Sequence, residues 1–253
     1  MNAETPQAAE LNLPQAFLLL ATNDQDGTPE VPMYALRTTL AGAILAELEL
    51  IGAVGLEGKH VKATGTAPQT DLQHELGLIR GKSRPHTPKR WVSMFEGRAE
   101  VQRIYEAMAA RGIVEHVGEK HLGVFKSTRY PEKDHAPEAA LLQKIQAALG
   151  GHPAESGTPG APATDAGTAE SPVIDVGAPD AGAAAPATPD AKAPDARTTA
   201  LIALLQAAGL LSKLVPTADK IRAGDLAKNY WPSHAVEDEL RMIRLAEEEE
   251  PGI

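Results

Sequence analysis

Apolar side chains recur three or four residues apart along most of this chain, and the breaks in that rhythm fall on Gly, Pro, Asn and Asp. The first run, Phe17-Leu18-Leu19-Leu20-Ala21, ends at Asn23-Asp24-Gln25-Asp26-Gly27, a string of turn formers. A longer amphipathic pattern follows, with Leu36, Leu40, Ile44, Leu48 and Ile51 on one face, so residues 11–56 read helix, turn, helix. Glu47 and Glu49 interrupt that second run and exclude a membrane span there, while Gly52 and Gly55 stop it ahead of a strand-like patch. Helical spacing returns over 98–111 (Val101, Ile104, Tyr105, Met108), 137–149 (Ala140, Leu141, Ile145, Leu149) and 198–208 (Leu201, Leu204, Leu205, Ala208). Two further helices are expected over 219–229 and 233–247. Short strand pairs are predicted over 53–64 around Gly58, and over 113–125 around Gly118-Glu119-Lys120. This inventory predicts a mainly α single domain with one or two small β-hairpins.

One stretch breaks the pattern altogether. Residues 151–196 are almost wholly Ala, Pro, Gly, Asp, Thr and Ser, with eight prolines and no aromatic residue, and cannot bury enough apolar surface to offset the entropy of ordering. The expected organisation is a loose tail at 1–10, a domain over 11–150, a disordered insertion over 151–197, the same domain resuming over 198–247, and an acidic tail at 248–253. A linker between two independent domains is the alternative, but the piece after it is short and very apolar on one face, a poor candidate for folding alone.

Charge follows the same division. Seven acidic and two basic side chains fall in 151–197 and four glutamates in 247–250, so of the net charge of −10 only about −1 belongs to the rest, which leaves room for a basic face. With no cysteine there are neither disulfides nor thiolate ligands, which fits a reducing compartment. The start, Met1-Asn2-Ala3-Glu4, carries no basic and hydrophobic leader pattern, so a cytoplasmic location is expected. Aromatic residues make up 4% of the chain, too few for base-stacking surfaces, and no nucleic-acid partner is expected.

The clearest candidate chemistry is Arg80 to Arg90, RGKSRPHTPKR, with five Lys or Arg, one His, and no carboxylate between Glu75 and Glu96. Pro85 and Pro88 are expected to keep it a loop that displays its charges beside Trp91 and the helix holding Arg98. Guanidinium forks and ammonium groups suit phosphate oxygens, and an indole beside them suits a membrane interface. A solvated basic loop and an anionic-lipid contact are both open on this pattern. Enzyme chemistry has little support. No GxSxG, P-loop or GxGxxG stands between a strand and a helix. Glu47 and Glu49, two apart, point to different faces and make poor acid/base partners. His116 and His121 are five apart, and His74 and His86 flank a loop without paired carboxylates, so the histidines read as surface or packing residues, with no metal set and no cofactor expected.

Several segments together resemble the Golgi phosphoprotein 3 family, in particular its bacterial members. The leucine-rich helix and Asp/Gly turn precede Leu40-Ala41-Gly42-Ala43-Ile44-Leu45-Ala46-Glu47-Leu48, which is similar to the family's LxGAxLxEL helix. Lys89-Arg90-Trp91-Val92, Ala110-Arg111-Gly112-Ile113-Val114, Gly123 to Pro131 (GVFKSTRYP) and Thr198 to Pro216 follow in the family's order. The resemblance implies a helical bundle core wrapped by amphipathic helices, and no catalytic step. It also implies a peripheral membrane protein that binds phosphatidylinositol 4-phosphate or another anionic headgroup at the cytoplasmic membrane face, with a soluble protein-interaction or adaptor module as the alternative. Carried onto this sequence, the family's lipid-pocket tryptophan falls on Pro32 and its arginines on Ala41, Arg98 and Val101, so only Arg98 matches. The residues expected to meet a headgroup are therefore Arg98, Arg84, Lys89, Arg90 and Trp91. Leu122, Val124 and Phe125 of the second hairpin are expected to face the core rather than a membrane.

Overall fold

In the computed structural model, which describes residues 10–65, 68–121, 125–150 and 194–249, the chain is organised around one helix that its neighbours cover on every side. That helix is α2, Met33–Leu50, and thirteen of its eighteen residues are buried. A surface helix would bury one stripe; burial all round marks a central element. The predicted single apolar face was therefore too narrow. Small residues explain the difference, because Ala41, Gly42, Ala43 and Ala46 let neighbours close in from the sides that Leu36, Leu40 and Ile44 do not fill.

The covering helices follow from their caps and breaks. Helix α1, Leu13–Leu20, starts at Asn12, whose side chain accepts from Gln15 N while the Gln15 side chain reaches back to the Asn12 amide. The first hairpin pairs β1, Val54–Glu57, with β2, His60–Ala63. Helices α3, Gln73–Arg80, and α4, Pro88–Phe95, come next, then α5, Arg98–Ala110. The second hairpin pairs β3, Val117–His121, with β4, Phe125–Arg129. Helix α6, Ala136–Ala148, closes the first part. Beyond it lie α7, Ala196–Ala207, the single turn α8, Leu211–Leu214, then α9, Lys220–Ala227, and α10, Trp231–Glu249. Helices α1, α4, α7 and α10 all pack on α2. Among the described residues, those up to Gly150 and from Pro194 onward belong to one compact unit, a mainly helical domain with two two-stranded antiparallel sheets. Among the described residues no helix is long and apolar enough to cross a membrane.

Four expectations need correction. The domain resumes before residue 198: Asp195 caps α7 by accepting from Thr198 N at 2.9 Å, and Arg197 pairs with Glu47. In the second hairpin Val117 pairs with Arg129 and His121 with Phe125, so Gly118, Glu119 and Lys120 lie within a strand rather than at its turn. Pro88 does not keep Lys89 and Arg90 in a loop. It sits at the start of α4, where a missing amide hydrogen costs nothing and a fixed φ suits the helix. Helix α10 runs to Glu249, into the stretch read as a tail. The expectations for residues 1–9, 151–193, Leu122, Val124, the Phe125 side chain and 250–253 lie outside the described residues.

Candidate functional site

The basic segment is held at both ends by core helices and at His86 by the first hairpin. Leu76 and Ile79 anchor α3 in the core, and Trp91, Val92 and Phe95 anchor α4. Between them the backbone is pinned to the first hairpin, since Val61 N donates to His86 O at 2.9 Å. The His86 ring then meets the edge of Trp91, with centroids 5.5 Å apart, and Trp91 lies against Phe95 at 5.3 Å. Arg80, Lys82 and Arg84 project from this fixed frame as exposed side chains.

Lys89 and Arg90 occupy the first turn of α4, whose Thr87 cap accepts from Arg90 N at 3.4 Å. Arg98 is the first residue of α5 and is exposed. Cations at helix N-termini oppose the macrodipole, so these charges do not stabilise the helices that carry them. An anion is favoured at the same place, by the dipole and by the side chains together. Lys89 Nζ stands 3.7 Å from Glu239 Oε2, while Arg80, Lys82, Arg84, Arg90 and Arg98 have no ion pair among the described residues. The structure does not gather all of the predicted residues into one pocket. Helix α4 itself, eight residues long, separates Lys89 and Arg90 in its first turn from Arg98 at the start of α5.

Trp91 corrects the expectation of an interfacial indole. Its side chain is 0% exposed and its Nε1 is buried without a hydrogen-bond partner, which makes it a core residue that supports the basic turn from beneath. The family's pocket positions are equally telling. Pro32 is an exposed N-cap, whereas Ala41 and Val101 are buried, so neither of the latter offers a surface cation site. Arg37 was missed. It lies one helical turn before Ala41, hence on the same face of α2, and near Glu96, whose carboxyl pKa is raised by burial, an effect that the Arg37 charge only partly offsets. Its Nε is buried without a partner.

Two other features had no counterpart in the sequence reading. One is a cavity of about 500 Å³ whose walls include Leu11, Ile113, Leu141 and Leu201, with Arg111, Lys144 and Arg197 among its polar lining. The cations there are engaged: Arg111 donates to Gln15 Oε1 at 2.7 Å, Lys144 reaches Glu10 Oε1 at 3.4 Å, and Arg197 pairs with Glu47.

The other is a cluster of Asp24, Glu132 and His135, joined by Glu138. Gly27 makes it possible. With φ +68° and its Cα against the backbone of Tyr130 and Pro131, it lets the 23–28 turn lie on that strand end, where Glu132 N donates to Asp24 O at 3.0 Å. Tyr130 is fixed in turn by a stack on Tyr105 at 4.3 Å. Burial, reinforced by the carboxyls of Asp24 and Glu132, pushes Glu138 up to about 8, and burial likewise raises Glu132. Of these residues only the local pair Glu132 and His135, three apart, left a trace in the sequence; Asp24 is brought in by tertiary packing.

The described residues form a mainly helical domain with two small hairpins and with exposed Arg90 and Arg98 in the first turns of α4 and α5. Residues 13–243 match the family described as Golgi phosphoprotein 3 (GPP34), and the chain belongs to that family. No curated protein matches it as a relative.

Proposed function

We propose that this chain is a non-enzymatic peripheral membrane protein that engages anionic lipid headgroups through Arg84, Lys89, Arg90 and Arg98, with Arg80 and Lys82 adding to the field. The observation that carries the reading is the set of cations at the α3–α4 turn and the start of α5, of which Lys89, Arg90 and Arg98 stand at helix N-termini where they do not stabilise their own helices. Family membership supports it, because the family resemblance implies a phosphatidylinositol 4-phosphate headgroup. Trp91 acts beneath this face as a packing residue. The chain would then work at the cytoplasmic face of a membrane without inserting a helix. The test is flotation of the full chain with neutral vesicles, phosphatidylserine vesicles and vesicles containing phosphatidylinositol 4-phosphate. Binding confined to the anionic vesicles supports the reading, and no binding at low salt to either anionic type overturns it.

A second reading, a protein-interaction adaptor without lipid binding, draws on the cavity of about 500 Å³ between α1, α6 and α7, whose apolar walls and mixed acidic and basic rim suit an amphipathic peptide. Failure of flotation would leave it leading.

A further inference from the structure

The Asp24, Glu132 and His135 side chains come from two segments more than a hundred residues apart in sequence, yet their candidate donor atoms lie within 4.8 Å of one another. Donor atoms held at about 2.1 Å by a single ion stand roughly 3–4 Å apart, so side-chain adjustment on the order of an ångström would close this set on one. The Glu132 side chain is 2% exposed; one of its oxygens meets His135 Nδ1, and the other, Oε1, is buried with no hydrogen-bond partner. A buried carboxylate oxygen is costly without a donor, and the one protein group beside it that could donate is the Glu138 carboxyl, and then only in its protonated form. The Glu138 carboxyl, itself buried, adds a further oxygen beside Asp24 and Glu132. A cavity of about 340 Å³ reaches Asp24 and Glu138 on one side of the set, and the exposed His135 ring opens the other side to solvent. The nearest lysine on that cavity, Lys213, is paired with Glu30.

We propose that Asp24, Glu132 and His135 form a binding site for a divalent first-row cation, of which Mn²⁺ and Zn²⁺ match a donor set of carboxylate oxygens and one imidazole nitrogen. Such an ion replaces the missing donor at Glu132 and offsets the mutual repulsion of the carboxylates. It also cross-links the 23–28 turn to the residues that lead into α6, two segments otherwise joined by a few backbone hydrogen bonds. The site is thus a structural clamp, and it is independent of the basic face.

The test uses the full chain stripped of metal with a chelator. Mn²⁺ binding is followed by electron paramagnetic resonance and Zn²⁺ binding by equilibrium dialysis, together with thermal unfolding in the presence and absence of each ion. One ion per chain is expected to bind saturably and to raise the unfolding midpoint. His135→Ala and Glu132→Gln should weaken binding by about tenfold or more and abolish the midpoint shift. Glu57→Gln, an exposed carboxylate on the first hairpin, should change neither. His135 is exposed, so its variant remains folded and decides the matter even where Glu132→Gln does not fold. Absence of saturable binding overturns the site, and so does equal binding by His135→Ala and the unmutated chain.

Discussion

Arg197 and Glu47 stand 150 positions apart in sequence and meet as an ion pair between a half-buried guanidinium and a buried carboxylate, Nη2 donating to Oε1 at 3.0 Å. The same Glu47 carboxylate accepts the backbone N–H of Leu13 at 2.8 Å through Oε2. One side chain of α2 therefore ties down the first residue of α1 and the second residue of α7. It does this across the stretch where the chain leaves the domain and returns.

Breaking this pair from one side leaves a buried charge with a single amide donor. Arg197→Ala is expected to lower stability by about 2–4 kcal/mol in urea denaturation, and Arg197→Lys, which loses the fork, by about half as much. The double change Glu47→Gln with Arg197→Gln should cost less than Arg197→Ala, because no unpaired charge remains. A loss under about 0.5 kcal/mol for Arg197→Ala would mean that the pair is solvated and contributes nothing measurable.

Gly42 makes a second test of the central packing. A Cβ at this position would sit 2.2 Å from Val236 Cγ2, on a side chain that is fully buried and stiff at its β-branch. Alanine in place of glycine inside a helix normally gains about 1 kcal/mol. Here the overlap with α10 outweighs that gain, and Gly42→Ala is expected to destabilise by roughly 1–3 kcal/mol. Adding Val236→Ala should recover part of the loss. A stabilised single variant would show that α10 yields.

The helices were legible wherever apolar residues kept a helical period, as over 98–111 and 198–208, because that pattern is the imprint of one core face. Helix α3 was not, since Gly77, Gly81 and several polar residues hide the spacing of Leu76 and Ile79. Helix α4 was misread because Pro88 was taken as a breaker, although proline is at home in a first turn. The basic character of 80–90 was plain, yet the inward direction of Trp91 depends on α4 being a helix. Arg197 went to the insertion on composition, while Asp195 three residues before Thr198 was the capping signal that marks the domain's return. The Asp24 to Glu132 contact has no local signal at all; it exists only because Gly27 admits a neighbouring backbone.

Glu75 gives a stability that depends on pH. Its side chain is buried, and burial, with the Glu100 carboxyl beside it, pushes it up to about 7 despite its ion pair with Arg103. A carboxyl raised in the folded state from its ordinary 4.5 binds its proton more tightly there than in the unfolded chain. The associated stabilisation is fully present below about pH 4.5 and disappears as pH rises through about 7. Its size is at most about 3 kcal/mol across that interval, less whatever solvent screening of the part-buried site removes. Comparing urea midpoints of the unmutated chain and Glu75→Gln at pH 5 and pH 8 isolates this residue. The advantage of the unmutated chain should shrink at pH 8. If it grows instead, the Arg103 pair dominates over burial.

The basic face and its support separate by mutation because one is charge at the surface and the other is volume in the core. Reversing Arg84, Lys89, Arg90 and Arg98 together should abolish flotation with anionic vesicles, at about 1 kcal/mol for each headgroup-facing cation, while helicity is kept. Binding by the unmutated chain should weaken steadily with added salt, as screening shortens the reach of these charges. Trp91→Phe should do the opposite. It removes a buried ring and opens a void, but also removes an indole N–H that has no partner, so the net loss of stability is about 1 kcal/mol. Flotation of this variant, measured well below its unfolding midpoint, should match that of the unmutated chain. Loss of vesicle binding in Trp91→Phe with the fold intact would place the indole at the membrane after all, and the buried position of Trp91 could not then be the one the protein uses on a lipid surface.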